Sequence, residues 1–312
     1  MIKVMIRDDE DISDVLAFVV SYKPELDVLQ NVINKVIDQV GRVLLFDNAT
    51  PDPEVSAFLN EIENESTLAV VHSTSNVGLG AAINYAAKYA EINGFSYLLL
   101  LDQDSLPDPG MVVRLKTALK ELQQTQPVAA VGPQFRDSRN GCIAPFVRVG
   151  FPVSQKLLGG FGQRVSCDFL ITSGTLLSIE TLMSVGLMDE SLFIDNIDLE
   201  WCFRAKYCGF SLYGICDATM QHSIGDFLRP SKLKPSGITV HQPLRLYYIM
   251  RNRLLLYRRK ETPKIWIAQD IPRLVLKLFS TILFLTPRYV YLCNIFRGLS
   301  DGIRGVSGVK KD

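Results

Sequence analysis

Two aspartates stand one residue apart at the end of an apolar run, in "LLLLDQDSLPDPG", residues 98–110. Asp102 and Asp104 can share one divalent cation if the chain turns behind them, and Leu106-Pro107-Asp108-Pro109-Gly110 is rich in turn formers. Oxygen donors suit Mg²⁺ or Mn²⁺, ions that commonly bridge to phosphates. An isolated D-x-D also serves simply to cap backbone amides; its position at the end of a buried run favours the metal. His222, one of three histidines, follows the strand-like "SLYGICDATM" and is a candidate third ligand. Acids at 195, 198 and 200 stand ahead of a helical pattern in "DESLFIDNIDLEWCFRAKYCGF". Such acids often act as caps and dipole partners, a reading that weighs more on Asp195 than on Asp198. The chemical reading of Asp198 is a general base that takes a proton from a bound hydroxyl. Trp201 and Phe203 beside it offer flat faces to a sugar ring, or join the core. In "SNVGLGAAIN", residues 75–84, Gly78 and Gly80 precede a helix. That is an anion site or an ordinary strand-to-helix loop.

These groups need elements to bring them together. "VLAFVVSY" (15–22), "RVLLFDN" (42–48), "LAVVHS" (68–73) and "YLLLLDQD" (97–104) are continuously apolar, as strands buried on both faces are. Between them lie amphipathic stretches at 26–39, 53–64 and 80–93. Strand and helix alternate, which predicts a doubly wound α/β domain with a mainly parallel sheet. In that fold ligands bind beyond the carboxyl ends of the strands. The polar ends Ser21-Tyr22, Asp47-Asn48, His72 to Asn76 and Asp102-Gln103-Asp104 should therefore converge on one edge. The glycine motif has Ile83 where a third glycine would stand and follows the third run rather than the first. The dinucleotide fingerprint fails, and an NAD-dependent oxidoreductase with it.

The formal net charge is zero, yet residues 1–60 hold eleven acids against five bases, and residues 258–312 hold eleven bases against four acids. The C-terminal end is both basic and apolar, which points to an anionic membrane surface rather than nucleic acid. Its run "LVLKLFSTILFLTPRYVYLCNIF" is broken by Lys277, Pro287 and Arg288, short of the roughly 20 apolar residues a spanning helix needs. Helices lying in the membrane interface and helices packed on the body both remain open. Removing the chain beyond about residue 262 is expected to weaken membrane attachment. Six cysteines form no C-x-x-C pair, and the spacing of Cys202, Cys208, Cys216 and His222 fits no zinc pattern. The acidic start, "MIKVMIRDDEDISD", differs from a secretory leader, so a cytoplasmic protein is expected.

Taken together, "VVSYKPE", "LLFDNAT", "SNVGLGAAIN", "LLLLDQDSLP", "FLITSGTLLS", "LFIDNIDLEWCFRA", "MQHSIGD" and "YYIMRNRLLL" resemble the family 2 glycosyltransferases, and among them the bacterial rhamnosyltransferases. The resemblance spans roughly residues 15–260. A generic member carries Glu-Asp at the base; here the pair is Ile197-Asp198. The resemblance implies a GT-A fold over residues 1–240, with a nucleotide-sugar half at about 15–125 and an acceptor half at about 126–240. Residues 241–312 form a helical, basic appendage. It implies that Ser21, Tyr22, Pro24 and Asp47 surround the nucleotide, and that Asn76, Gly78, Gly80, Asn84 and Gln103 line the donor pocket. Asp102, Asp104 and His222 would hold Mg²⁺ or Mn²⁺. Asp198 would be the base of an inverting transfer, with Ser173, Gly174, Glu200 and Trp201 on the acceptor side. The donor implied is dTDP-L-rhamnose and the acceptor a lipid-linked saccharide of surface polysaccharide, met at the inner membrane. A UDP-sugar donor, or a binding scaffold without catalysis, are the alternatives.

Overall fold

A computed structural model describes residues 11–63, 66–222, 227–229, 238–284 and 287–310, with side chains except at 227–229, 238–240 and 280–284. Most of the acidic leader lies outside the described residues. The four apolar runs are parallel strands: β1 (Val15–Ser21), β2 (Arg42–Asp47), β3 (Leu68–His72) and β4 (Tyr97–Asp102), in the order β3-β2-β1-β4. Their continuity has a simple cause. Leu16, Phe18, Leu98 and Leu100 face one side and pack with Ala82, Ile83, Ala86 and Ala90 of α3 (Leu79–Ile92). Val15, Ala17, Val19 and Leu99 face the other, with Leu29, Val32 and Val36 of α1 (Leu26–Val36) and Val55 and Leu59 of α2 (Pro53–Ile62). Both faces are covered, so no position along these strands is free to be polar until the end.

The second half of the sheet is mixed. Beyond β5 (Leu106–Pro107) and α4 (Met111–Gln123) run β6 (Val128–Asp137), the hairpin of β7 (Phe146–Arg148) and β8 (Gln155–Leu157), β9 (Arg164–Cys167) and β10 (Leu176–Ser178). After α5 (Ile179–Val185) and α6 (Ile197–Tyr207) comes β11 (Ser211–His222), and then the short pair β12 (Phe227–Arg229) and β13 (Ile238–Val240). The sheet continues from β4 as β10-β6-β11-β5. β10 is antiparallel to both β4 and β6, while β11 is parallel to β6. The β11–β6 register slips between Ile215, opposite Pro133, and Thr219, opposite Gln134. Pro133 has no N–H for the ladder, a natural place for a bulge. Beyond it β11 runs on to His222, whose neighbour Gln221 pairs with Leu106.

Three helices end the chain: α7 (Pro243–Tyr257), α8 (Lys264–Phe284) and α9 (Arg288–Arg304). α7 is buried at Leu246, Tyr247, Ile249, Met250, Arg251 and Asn252. α9 lies close along it: a Cβ on Gly298 would overlap the Tyr247 carbonyl, and one on Gly302 would sit 2.9 Å from the Arg251 carbonyl. Leu256 and Trp266 join the main core. α7 and the start of α8 thus pack on the body and α9 on α7, while further along α8 Ile271, Val275, Leu276 and Phe279 are exposed. No helix of the described residues is long and apolar enough to cross a membrane.

Candidate active site

The end of β4 and the end of β11 meet. Asp102, Asp104 and His222 offer ligand atoms within 4.8 Å of one another, the one such group among the described residues. The cysteines at 202, 208 and 216 are not assembled into a second one. His222 Nδ1 lies 3.4 Å from Asp104 Oδ1 and Nε2 lies 3.8 Å from Asp102 Oδ2. Ser105 Oγ is 3.2 Å from His222 Nδ1 and hydrogen-bonds Ser173 Oγ, and the Phe135 ring meets the imidazole edge-on. Burial pushes the Asp102 carboxyl above its usual range against the pull of His222, and Asp104 adds to the rise. Burial opposes the charged imidazole of His222, but its hydrogen bond to Asp104 and the charges of Asp102 and Asp104 outweigh it and raise its pKa. Two carboxylates that draw a proton onto a buried imidazole are short of positive charge. With two oxygens, one nitrogen and a hydroxyl bracing the ring, the group fits Mg²⁺ or Mn²⁺.

The other strand ends line up beside it. Ser21 pairs in register with Asp47, Asp47 with His72, and Val20 with Asp102. Tyr22 is exposed, and its N–H donates to Gln103 Oε1 at 2.8 Å, which ties the β1 end to the aspartate turn. Lys23 donates to Thr50 Oγ1, and Thr50 N–H to Asp47 Oδ1, so the segment carrying Pro24 leans on β2. Ser21 Oγ is buried and unpartnered. Asn48 Oδ1 accepts from Val77 N–H and Asn76 Oδ1 from Gly78 N–H, closing the glycine turn. That turn is not an open anion cradle. Gly78 has φ +84°, a Cβ there would lie 2.6 Å from the Phe193 carbonyl, and one on Gly80 would lie 3.1 Å from the Asp189 carbonyl. The glycines admit the 189–193 segment.

That segment leads to Asp198, in the first turn of α6. Asp198 Oδ1 accepts from Leu199 N–H at 2.8 Å and Oδ2 from Thr172 N–H at 3.3 Å. It borders an apolar pocket with Leu100, Leu170, Leu177, Met188 and Trp201. Burial there raises its pKa to about 6, and the charges of Asp195 and Asp102 add to the rise. A carboxylate so tuned is a better proton acceptor near neutral pH than an exposed one. Asp195 is bound by Arg245, whose Nε lies 3.1 and 3.2 Å from its two carboxylate oxygens.

Several expected neighbours stand elsewhere. Glu200 and Trp201 are both buried: Glu200 lies in the core, while Trp201 borders the pocket beside Asp198. Glu200, 3% exposed, is held by Arg204 and Arg259, and the Trp201 indole N–H donates to the Gly186 carbonyl. Asn84 is buried too; it clamps Met188 through both backbone groups and reaches Glu190. Ser173 and Gly174 support the aspartate turn from behind: Ser173 is bonded to Ser105, and a Cβ on Gly174 would strike Met220 and Pro133. Sequence reasoning assigned no role to Ser105, Arg245, Arg251 or Asn252. The last three lie in "PLRLYYIMRNRLLL", where only the interruption of an apolar helix by arginines and an asparagine marks them.

Comparison with known proteins agrees with this geometry. Residues 17–149 match the family model described as glycosyl transferase family 2. The dTDP-rhamnosyl transferase RfbF of Shigella flexneri is 30% identical over 301 residues, which cover 95% of this chain and 97% of that protein. Among solved structures, the mannosyltransferase PcManGT from Pyrobaculum calidifontis, in complex with GDP-Man and Mn²⁺, is similar over 93% of this chain and 87% of its own, with 13% identity and a TM-score of 0.54. GalNAc-T7, solved with UDP, GalNAc and Mn²⁺, has a TM-score of 0.57 at 13% identity over 84% of this chain; the chain spans 55% of that one. These likenesses show a GT-A fold. The chain is an enzyme of glycosyl transferase family 2.

Proposed function

We propose that the protein transfers L-rhamnose from dTDP-L-rhamnose, with inversion, to a hydroxyl of a lipid-linked saccharide in the synthesis of bacterial surface polysaccharide such as O-antigen. The observation that carries the donor assignment is the similarity to a dTDP-rhamnosyl transferase along nearly the whole of both chains. Tyr22, Asp47 and Gln103 would bind and orient the nucleotide at the β1 and β2 ends, with Ser21 and Pro24 shaping the turn. Asp102, Asp104 and His222 would hold Mg²⁺ or Mn²⁺, which when bound would neutralise charge on the departing diphosphate. The Asp198 carboxylate takes the proton from the acceptor hydroxyl as that oxygen attacks the anomeric carbon. Attack opposite the leaving group inverts the centre and needs no nucleophile from the protein. The apolar lining beside Asp198 would favour its neutral form and so make the carboxylate a stronger proton acceptor.

The same reading puts the enzyme on the cytoplasmic face of the inner membrane. Ile271, Val275 and Phe279 recur every four residues on α8 and are 48%, 43% and 57% exposed, in a basic part of the chain. Apolar side chains among arginines and lysines suit an anionic bilayer surface.

The test is donor binding and hydrolysis by the full chain with Mg²⁺ or Mn²⁺. dTDP-L-rhamnose is compared with UDP-glucose, UDP-galactofuranose and UDP-N-acetylglucosamine, with and without chelator. Chelator-sensitive preference for dTDP-L-rhamnose is expected. Preference for a UDP-sugar would overturn the rhamnosyl assignment and leave the base and metal group standing. Failure to bind any of them would overturn the rhamnosyl assignment and place the donor outside this panel.

A further inference from the structure

The loop that delivers Asp198 carries three non-glycine residues with positive φ. Phe193, Asp195 and Asn196 have φ of 65°, 64° and 62°. Non-glycine residues occupy that left-handed region singly and with support, and a bulky one such as Phe193 rarely does. The support comes from α7, about 50 residues downstream. Asn252 is fully buried. Its Nδ2 lies 3.0, 2.8 and 2.9 Å from the carbonyls of Leu192, Ile194 and Asp195, so two N–H groups serve three acceptors. Arg251, also fully buried, fixes which end of that amide faces the loop: its Nε donates to Asn252 Oδ1 at 3.0 Å. Its Nη2 donates to the Leu192 carbonyl at 2.9 Å, and its Nη1 reaches the Gly308 carbonyl. On the same helix the Tyr248 ring stacks on Phe193 at 5.1 Å, and Arg245 grips Asp195. Residues 245, 248 and 252 share one face, and that face addresses the loop from Leu192 to Asp195.

A buried amide is costly unless every group is satisfied. Here every group is satisfied: the Nδ2 hydrogens by three backbone carbonyls of the loop, and Oδ1 by Arg251. The pair therefore selects a conformation as well as filling the core. The loop ends at Asn196, and Asp198 follows two residues later. We propose that Asn252, oriented by Arg251, is a positioning residue for glycosyl transfer: it fixes the Leu192–Asn196 backbone and through it the direction in which the Asp198 carboxylate meets the acceptor. This rests on the reading of Asp198 as the base.

The experiment compares Asn252→Ala, Arg251→Lys and Asp198→Asn with wild type in the full chain. It uses turnover of the donor that the panel above selects, donor Kd, the pH profile of kcat/KM and the melting temperature. A displaced base costs rate without costing donor binding, by about 10²-fold for a shift of an ångström. For folded Asn252→Ala a loss of that order in kcat is expected, with donor Kd within about twofold. The low-pH limb should also move, because Asp198 would no longer keep its present relation to the pocket, to Asp195, to Asp102 and to Cys202. A purely structural role would lower the melting temperature and leave kcat per folded molecule and the pH limb in place; that result overturns the proposal. If Asn252→Ala does not fold, Arg251→Lys decides by the same readouts, since it keeps the charge and loses the planar grip on Asn252. An Asp198→Asn enzyme that still turns over would bring down the base assignment and the positioning role with it. A silent Asp198→Asn beside a normal Asn252→Ala would bring down the positioning role alone.

Discussion

Asp198 is asked both to border an apolar pocket and to be ionised, and the two demands conflict. Its folded pKa, about 6, stands above the ordinary 3.8. The folded state therefore holds the proton more tightly than the unfolded chain does. The associated stability is fully present below about pH 4 and is lost as pH rises through about 6. Asp198→Asn should reduce turnover about 10²–10⁴-fold, with donor affinity nearly unchanged. It should also melt above wild type at pH 8, and the gap should close toward pH 4. In wild type, kcat/KM should fall below about pH 6. A base with no such acid limb, or a mutant less stable at pH 8, would contradict the assignment. The metal group carries its own prediction. Asp104→Asn should abolish Mn²⁺ binding measured by calorimetry or electron paramagnetic resonance, and Ser105→Ala, which removes a brace, should weaken it about tenfold. Unchanged affinity in Asp104→Asn would remove the group as a metal centre. Asp102, Asp104 and His222 were legible in the sequence because carboxylates at a strand end have few other uses there. Ser105 was not, since a serine in a turn has many. Glu200 misled by nearness in sequence: α6 is enclosed on most sides, so two residues on from Asp198 the helix faces the body.

The four parallel strands could be read directly, because burial on both faces leaves an unbroken apolar signature. β10 could not. Only Leu176–Ser178 pair, antiparallel between β4 and β6, and three residues have no period. The bulge at Pro133 and the grip of α7 on the Leu192–Asn196 loop are equally silent, since each depends on a partner far along the chain. The glycine turn was left open between an anion site and an ordinary loop, and the packing of Phe193 and Asp189 against it accounts for its glycines. Gly78→Ala should destabilise by about 1–3 kcal/mol, because it adds a clash with Phe193 to a strained φ. Gly94 has φ +75° and nothing within 4 Å of an added Cβ. Gly94→Ala should then cost only the left-handed backbone term, about 1 kcal/mol. Chemical denaturation of the two variants measures the difference; equal losses would mean that 189–193 does not press on the turn.

Across the whole molecule, neutral net charge hides a polarity. Acids gather in the first sixty residues and bases in the last fifty-five. With Leu276 and Phe279 exposed at 67% and 57%, Leu276→Glu with Phe279→Glu should reduce flotation with anionic vesicles several-fold and leave donor hydrolysis intact. Unchanged flotation would remove α8 as the contact. Cutting the chain near residue 262 is a poorer test than it looked. It would strip α9 from α7 and take away the Gly308 carbonyl that holds Arg251, while Gly308 N–H also bonds the Ser191 carbonyl. The same contacts set an order of events during synthesis. Strands β1 to β4 are complete by residue 102, but the loop leading to Asp198 acquires its last supports only when residues near 308 have left the ribosome. A nascent chain could then form the strand ends proposed to bind the donor well before it could order the loop that precedes Asp198.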